Sequence, residues 1–547
     1  MAFLPRHRFT QAGHGAPAEL ARFAPAESPT HSRTYRTTAH RARLALPALL
    51  YTLLLLSGPA ALAASAEPVF RAGFAERDIT PEIGMERPGG YAKAFHTRVH
   101  DPCKVRVAVF ADASHSLALV SVDALFVPRA VVLAARAEIE KQTGIAPGAV
   151  MIAATHSHSS GPVGMVQPGQ FDTAPEDIRK LAYEESSLAH AGYLERVTRE
   201  IVAGVQAAHA ALAPARLGFG FGHEDKAAFN RRMRMKNGQT WTMPGLSNPD
   251  IVDYAGPIDP QVGVVGAWDA KGALLGSIVT FSCHATTNPG GISANWIYYT
   301  ERALHGSLGT TAPMLFFAGP SGDIGQVDSK SPYTYRTGEE WATFIGTRVG
   351  AEAAKVLVSV PRSDQGLTLA SRRKTWKIPR RVPAPETIAN ARSTVAAGKR
   401  PPDNTDWLFA RETLMLTHLL AMEPAAEVEV QALQIGPALF VGNPAEYFVH
   451  YGLEIKKGSP FPFTFPVELA NGSVGYVPTE EALSPSGGGY ETRLSFYTNL
   501  EITAGRQIAE ASIALARELT PGPVPEFERL KEPMKPWPYG NVPPQLK

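Results

Sequence analysis

Along the chain, short runs rich in β-branched and other apolar residues alternate with stretches in which apolar positions recur every three or four residues. The runs at 105–110 (VRVAVF), 116–127 (SLALVSVDALFV), 150–158 (VMIAATHSH), 277–285 (SIVTFSCHA) and 314–319 (MLFFAG) read as buried strands. The helical period holds over 131–143, 194–212, 341–357 and 503–519, and over 407–422 (WLFARETLMLTHLLAM), which reads as a core helix rather than a membrane-facing one. Segment 428–444 reads as two strands joined at Gly436-Pro437, so part of the sheet is expected to be antiparallel. Together these elements predict an α/β fold: one large mixed-sheet domain with helices packed on the sheet. No internal repeat is visible.

One apolar run breaks this pattern. Residues 44–56 (LALPALLYTLLLL) follow Arg41 and Arg43 and precede Gly58, Pro59 and small residues as far as Ala66, the layout of a secretory signal. The run falls short of the roughly 20 residues of a bilayer span. The chain is therefore expected to divide into a leader at 1–66, a main domain at 67–519 and a Pro-rich tail at 520–547. The expected location is secreted or periplasmic, with no stable transmembrane segment after cleavage and peripheral membrane contact left open. Composition changes the picture little: 547 residues, 44% hydrophobic and 19% charged, can bury a large core. The formal charge of +2 becomes about −3 without the Arg-rich leader, which argues against a nucleic-acid partner. Two cysteines, Cys103 and Cys283, form no disulfide framework; whether they pair with each other is left open.

The sixteen histidines are more informative. His156 and His158 end the 150–158 run, and on a regular strand they point to one side, as a zinc ligand and an acid–base partner would. His284 ends a second apolar run in the same strand-then-loop setting, where a buried, satisfied histidine is the alternative. Glu446 leaves a third run after a Gly and a Pro, as a metal ligand or as a cap for the helix that follows. Tyr476 and Tyr490 sit in Gly-rich loops and either pack or present their phenols to a site.

Taken in order, AGFAERDITP (72–81), GGY (89–91), HTRVHDP (96–102), VSVD (120–123), ATHSHSSGP (154–162), FNRR (229–232), GPIDPQVGVV (256–265), FSCHA (281–285), FAGPSGDIG (317–325), NPAEYF (443–448) and VGYVPTEE (474–481) resemble the neutral, non-lysosomal ceramidase family. That resemblance implies a zinc-dependent amidohydrolase cleaving a linear N-acyl amide, ceramide or a related N-acyl lipid, through a zinc-activated water. It implies one zinc ion per chain, held by His156, His284, Glu446 and Tyr476, with His158 and Tyr490 as catalytic groups and Arg231 and Asp323 on the substrate side. For Arg231, a surface position in the basic run RRMRMK is the alternative.

Two departures bear on substrate. The family carries a serine after its Gly-Asp pair where this chain has Gly325, and only 57 residues follow Tyr490, so no C-terminal immunoglobulin-like β-sandwich is expected. A zinc esterase or amidase for a non-lipid substrate, and a non-catalytic zinc- or ligand-binding protein, therefore stay open. Metallo-β-lactamases fit less well, because HSHSSG lacks their Asp-His continuation; amidohydrolase barrels carry their HxH on the first strand.

Overall fold

Three sheets of four or five strands are built on one recurring unit, an antiparallel hairpin followed by a helix and a parallel strand. In the first sheet, Lys104–Ala111 and Ser116–Val122 form the hairpin, Arg129–Thr143 crosses over, and Val150–Ala154 returns parallel to Ser116–Val122. In the second, Gln261–Trp268 and Leu274–Phe281 are followed by helix Trp296–Leu308 and strand Met314–Ala318. In the third, Ala425–Ile435 and Ala438–Gly442 are followed by helix Val449–Gly458 and strand Phe463–Val467. Short polar turns close the hairpins. Asp112 Oδ1 accepts from the Ser114 and His115 amides, Asp269 Oδ1 accepts from those of Lys271 and Ala273, and the third hairpin turns at Gly436, φ 55°. The mixed α/β architecture agrees with the sequence reading; the threefold recurrence was invisible in it, because the units share topology and not residues.

These features belong to a computed structural model that describes residues 70–547 except Thr334, Tyr335, Pro402 and Asn541. The signal-peptide reading lies outside the described residues. One apolar cluster unites the three sheets: Val107, Val120 and Ile152 of the first pack with Leu315 and Phe317 of the second and with Phe440 and Phe465 of the third. Both cysteines are buried within it or beside it, and both are free.

Three differences from the sequence reading have physical reasons. Strands 116–127 and 150–158 stop at Val122 and Ala154, because Asp123 turns inward to bind the Lys104 amide and Arg106 and His156 adopts a left-handed backbone, φ 62°. Strand Arg216–His223 turns Leu217, Phe219 and Phe221 into the core and has only glycine between them on its other face, so it carries little β-branched signal. Its Gly218, Gly220 and Gly222 lie so close to helix Gly338–Ser359 that an added Cβ would meet Val360, Val356 or Glu352 at 2.4–2.8 Å. Strand Leu369–Pro379 was hidden by its exposed Arg and Lys, which suit an edge strand. Among the described residues of 520–547 none lies in a helix or strand, and the side chains of Phe527, Leu530 and Trp537 are exposed.

Candidate metal centre

In each of the three larger sheets the parallel strand pair delivers a candidate ligand beyond its C-terminal end, the end at which sites form in α/β sheets. His156 follows Val150–Ala154, His284 follows Leu274–Phe281, and Glu446 follows Ala438–Gly442. All three are almost fully buried. Glu446 lies in the short strand Glu446–Tyr447, paired in parallel with Tyr476–Val477, so Glu446 and Tyr476 face each other as cross-strand partners. The approach to Tyr476 requires glycine: at Gly475, φ 74°, a Cβ would meet the Tyr497 carbonyl oxygen at 1.7 Å.

The imidazoles are oriented alike. His156 Nδ1 donates to Leu125 O at 2.8 Å, His158 Nδ1 to Gly89 O at 3.0 Å and His284 Nδ1 to Ser321 O at 2.7 Å. Carbonyl oxygens only accept, so each Nδ1 carries the proton and each neutral ring keeps a bare Nε2. Among the described residues these three histidines form the one group of His, Cys, Asp or Glu whose donor atoms gather as a metal site requires, within 4.8 Å of one another. His158 and His156 Nε2 lie 3.1 Å apart. Glu446 Oε2 lies 3.5 Å from His156 Nε2 and 3.4 Å from His284 Nε2. Neither His284 Nε2 nor Glu446 Oε2 has a hydrogen-bond partner. Buried, unpartnered nitrogen and carboxylate donors aimed at one point fit a divalent cation.

The electrostatics keep His158 and His284 neutral and draw His156 toward protonation beside an ionised Glu446. Burial, then the Arg231 charge, push His284 down to about 3. Burial and the neighbouring rings hold His158 well below the ordinary histidine range. Burial opposes protonation of His156, but the Glu446 carboxylate outweighs it and raises this ring. Burial likewise opposes ionisation of Glu446, yet the two imidazoles keep it far below the usual carboxylate range.

Around this cluster stand four tyrosines and a buried arginine. Tyr476 Oη is 3.2 Å from Tyr490 Oη and accepts from Arg231 Nη2 at 3.3 Å. The Arg231 guanidinium lies over both rings, donates to Gly322 O and pairs with Glu491 at 2.9 Å. It is thus a buried support behind the phenols rather than a surface residue. Asp323 is also buried, accepting from the Val449 amide at the start of helix Val449–Gly458 and from Asn230 Nδ2, both at 2.8 Å. Gly325 pairs with Phe229 beside Arg231, and a side chain there would meet only Arg231 carbons at 3.6 Å. Tyr497 escaped the sequence reading: its hydroxyl donates to Glu446 Oε1, yet in LSFYTN it looks like any core aromatic.

A cavity of about 440 Å³ opens onto the cluster. His158, Glu446 and the phenol-bearing rings of Tyr91, Tyr476, Tyr490 and Tyr497 line one part, and Leu125, Met165, Met243, Leu408 and Phe409 line the rest. Gly89, φ 93°, closes against His158, where any Cβ would lie 2.2 Å from the ring nitrogen.

No family profile matches the chain. Over 251 residues, 45% of its length, it is 31% identical to the neutral ceramidase of Pseudomonas aeruginosa. In that part the chain is similar to neutral ceramidase. The aligned part spans 34% of that ceramidase's own length. In fold, the chain resembles the solved neutral ceramidase from Pseudomonas aeruginosa with a TM-score of 0.60 at 23% identity, over 85% of this chain and 77% of that one. A ceramidase complexed with C2 matches with the same score and coverage at 20% identity. The mixed sheets described above are therefore the ceramidase fold.

Proposed function

We propose that the protein is a metal-dependent hydrolase of linear N-acyl amides, with zinc as its metal and ceramide or a related N-acyl lipid as its first substrate class. The observation that carries this reading is the gathering of three bare imidazole nitrogens and an ionised carboxylate beside an apolar cavity. The ceramidase relatives supply the substrate class. His156, His284 and Glu446 would hold the metal, with Tyr476 as the fourth donor that the resemblance implies. Zinc in that position supplies Lewis-acid polarisation of the acyl carbonyl and lowers the pKa of water.

The chain's own groups do the rest. His158 is held by Gly89 O with its Nε2 turned into the cluster, and its depressed pKa leaves it free to take a proton from water and pass it to the leaving nitrogen. Tyr490, pushed up to about 12 by burial foremost, keeps its proton and donates a hydrogen bond to the developing oxyanion. Arg231 fixes both phenols from behind. Leu125, Met165, Met243, Leu408 and Phe409 enclose an apolar arm of the substrate. Export is part of the proposal, resting on the 44–56 run. Among the described residues, no helix is long and apolar enough to cross a membrane.

The test combines metal analysis with a fluorogenic panel of short- and long-chain ceramides, non-lipid amides and esters. About one zinc per chain and amide turnover are expected. His156→Ala and Glu446→Ala should lose both, whereas His158→Ala should keep the metal and lose turnover. Full zinc in both ligand variants overturns the site, and a zinc-loaded protein that cleaves no amide overturns the activity.

A further inference from the structure

Resting on the reading that His284 and Glu446 hold a metal, we infer that Glu468 is a positioning residue that fixes two of the ligands at once through hydrogen bonds. Glu468 is fully buried at the end of strand Phe463–Val467, in a stretch that the function has not used. Its Oε2 accepts from the Ser321 amide and from the Tyr447 amide, each at 3.0 Å, and its Oε1 accepts from the Ser321 hydroxyl. Ser321 is the residue whose carbonyl accepts the hydrogen bond from His284 Nδ1, and Tyr447 is bonded directly to Glu446. The peptide after Ser321 also sets Arg231, since Gly322 O accepts from Nη2 at 2.7 Å, and Gly322 N in turn donates to Tyr447 O at 2.9 Å.

One carboxylate therefore ties the loop after strand Met314–Ala318, whose carbonyls hold the His284 and Arg231 side chains, to the segment that carries Glu446. Loops are the mobile part of such a site, and a ligand held 1 Å out of place binds metal poorly. Three donors converge on two oxygens, so the device works by reach and direction. Glutamine satisfies it: the amide oxygen takes both peptide N–H groups and the amide nitrogen donates to the Ser321 hydroxyl. Aspartate, one methylene shorter, keeps the charge and loses the reach.

Zinc affinity of the full chain, measured by competition with a chelator, separates these cases. If geometry is what Glu468 supplies, Glu468→Gln should bind zinc within about threefold of the parent, and Glu468→Asp should bind about 10- to 100-fold more weakly. The reverse order assigns the effect to charge and overturns the inference. Equal affinity in both variants overturns it too, as does a fall in the melting temperature of the metal-free protein with unchanged zinc binding, which marks a purely structural residue. A parent chain that binds no zinc overturns the metal reading itself, a result distinct from all of these.

Discussion

His156, the first proposed ligand, stands on a left-handed backbone that a non-glycine residue adopts at a cost of about 1–3 kcal/mol. The strain is held by Leu125 O on the ring and by the Ser157 amide, which donates to Ala124 O at 3.1 Å. It also explains how two histidines converge where a strand no longer exists: alternation put the two rings together for a geometric reason that does not apply, since the strand has ended at Ala154. A second residue-scale feature lies beneath the site. Arg106, fully buried, binds Asp123 at 2.8 Å and Glu301 at 3.1 Å, and Asp123 accepts from Thr155 beside His156. Burial opposes ionisation of Glu301, but Arg106 and Lys104 together draw it down to about 2. Because its folded pKa is depressed, the stability it contributes is present above the unfolded value of 4.5 and lost as pH falls toward 2. Glu301→Gln should thus destabilise by on the order of 3 kcal/mol near pH 6 and by little near pH 2, as read from thermal melts across that window. Gly325 gives a third test. It lies outside the left-handed region and has room for a side chain, so Gly325→Ser should fold with its melting temperature little changed. With a hydroxyl placed against Arg231, turnover of the amide panel should rise through kcat rather than KM.

At the scale of elements, helix Thr405–Met422 was read as core, and Leu414, Met415 and Leu416 are indeed buried. Its first turn does something more. Phe409 lines the cavity at the histidine cluster on one side and a cavity of about 770 Å³ on the other, with the Tyr91 ring 5.5 Å away and the Arg493 guanidinium 3.7 Å from its ring centre. Phe409→Ala should join the two spaces and shift the best N-acyl chain length upward; an unchanged chain-length profile in an active variant counts against the wall. Elements like this show what was legible in the chain. Helices and buried strands with strong periodicity were readable within a few residues. The strands that were missed owe their form to neighbours, as the glycines of Arg216–His223 do to the helix above them. His156, His284 and Glu446 were legible because each ends an apolar run, whereas Tyr497 and Glu468 act through contacts made across long stretches of chain, which leave no local mark. That Arg231 and Asp323 sit behind the cavity lining, in hydrogen bonds to backbone, is likewise a fact of packing.

For the molecule as a whole, the three hairpin–helix–strand units contribute to one shared core and one site. Removing zinc from the loaded protein with a chelator should therefore lower the melting temperature of the entire cooperative unit, since a ligand that binds only the folded chain stabilises it by mass action, by about 4 kcal/mol at a thousandfold excess over its dissociation constant. A melting temperature insensitive to chelation would place the metal outside the fold's stability. The spacing of the ligands gives this a further meaning. His156, His284 and Glu446 come from three different units with long stretches of sequence between them, so no fragment of the chain brings these three together and the unfolded polypeptide offers at most the local His156/His158 pair. An ion that joins them works as a reversible cross-link closing two large loops. The site is completed only when all three units have docked, and in a newly made chain metal capture would mark the end of folding rather than its beginning.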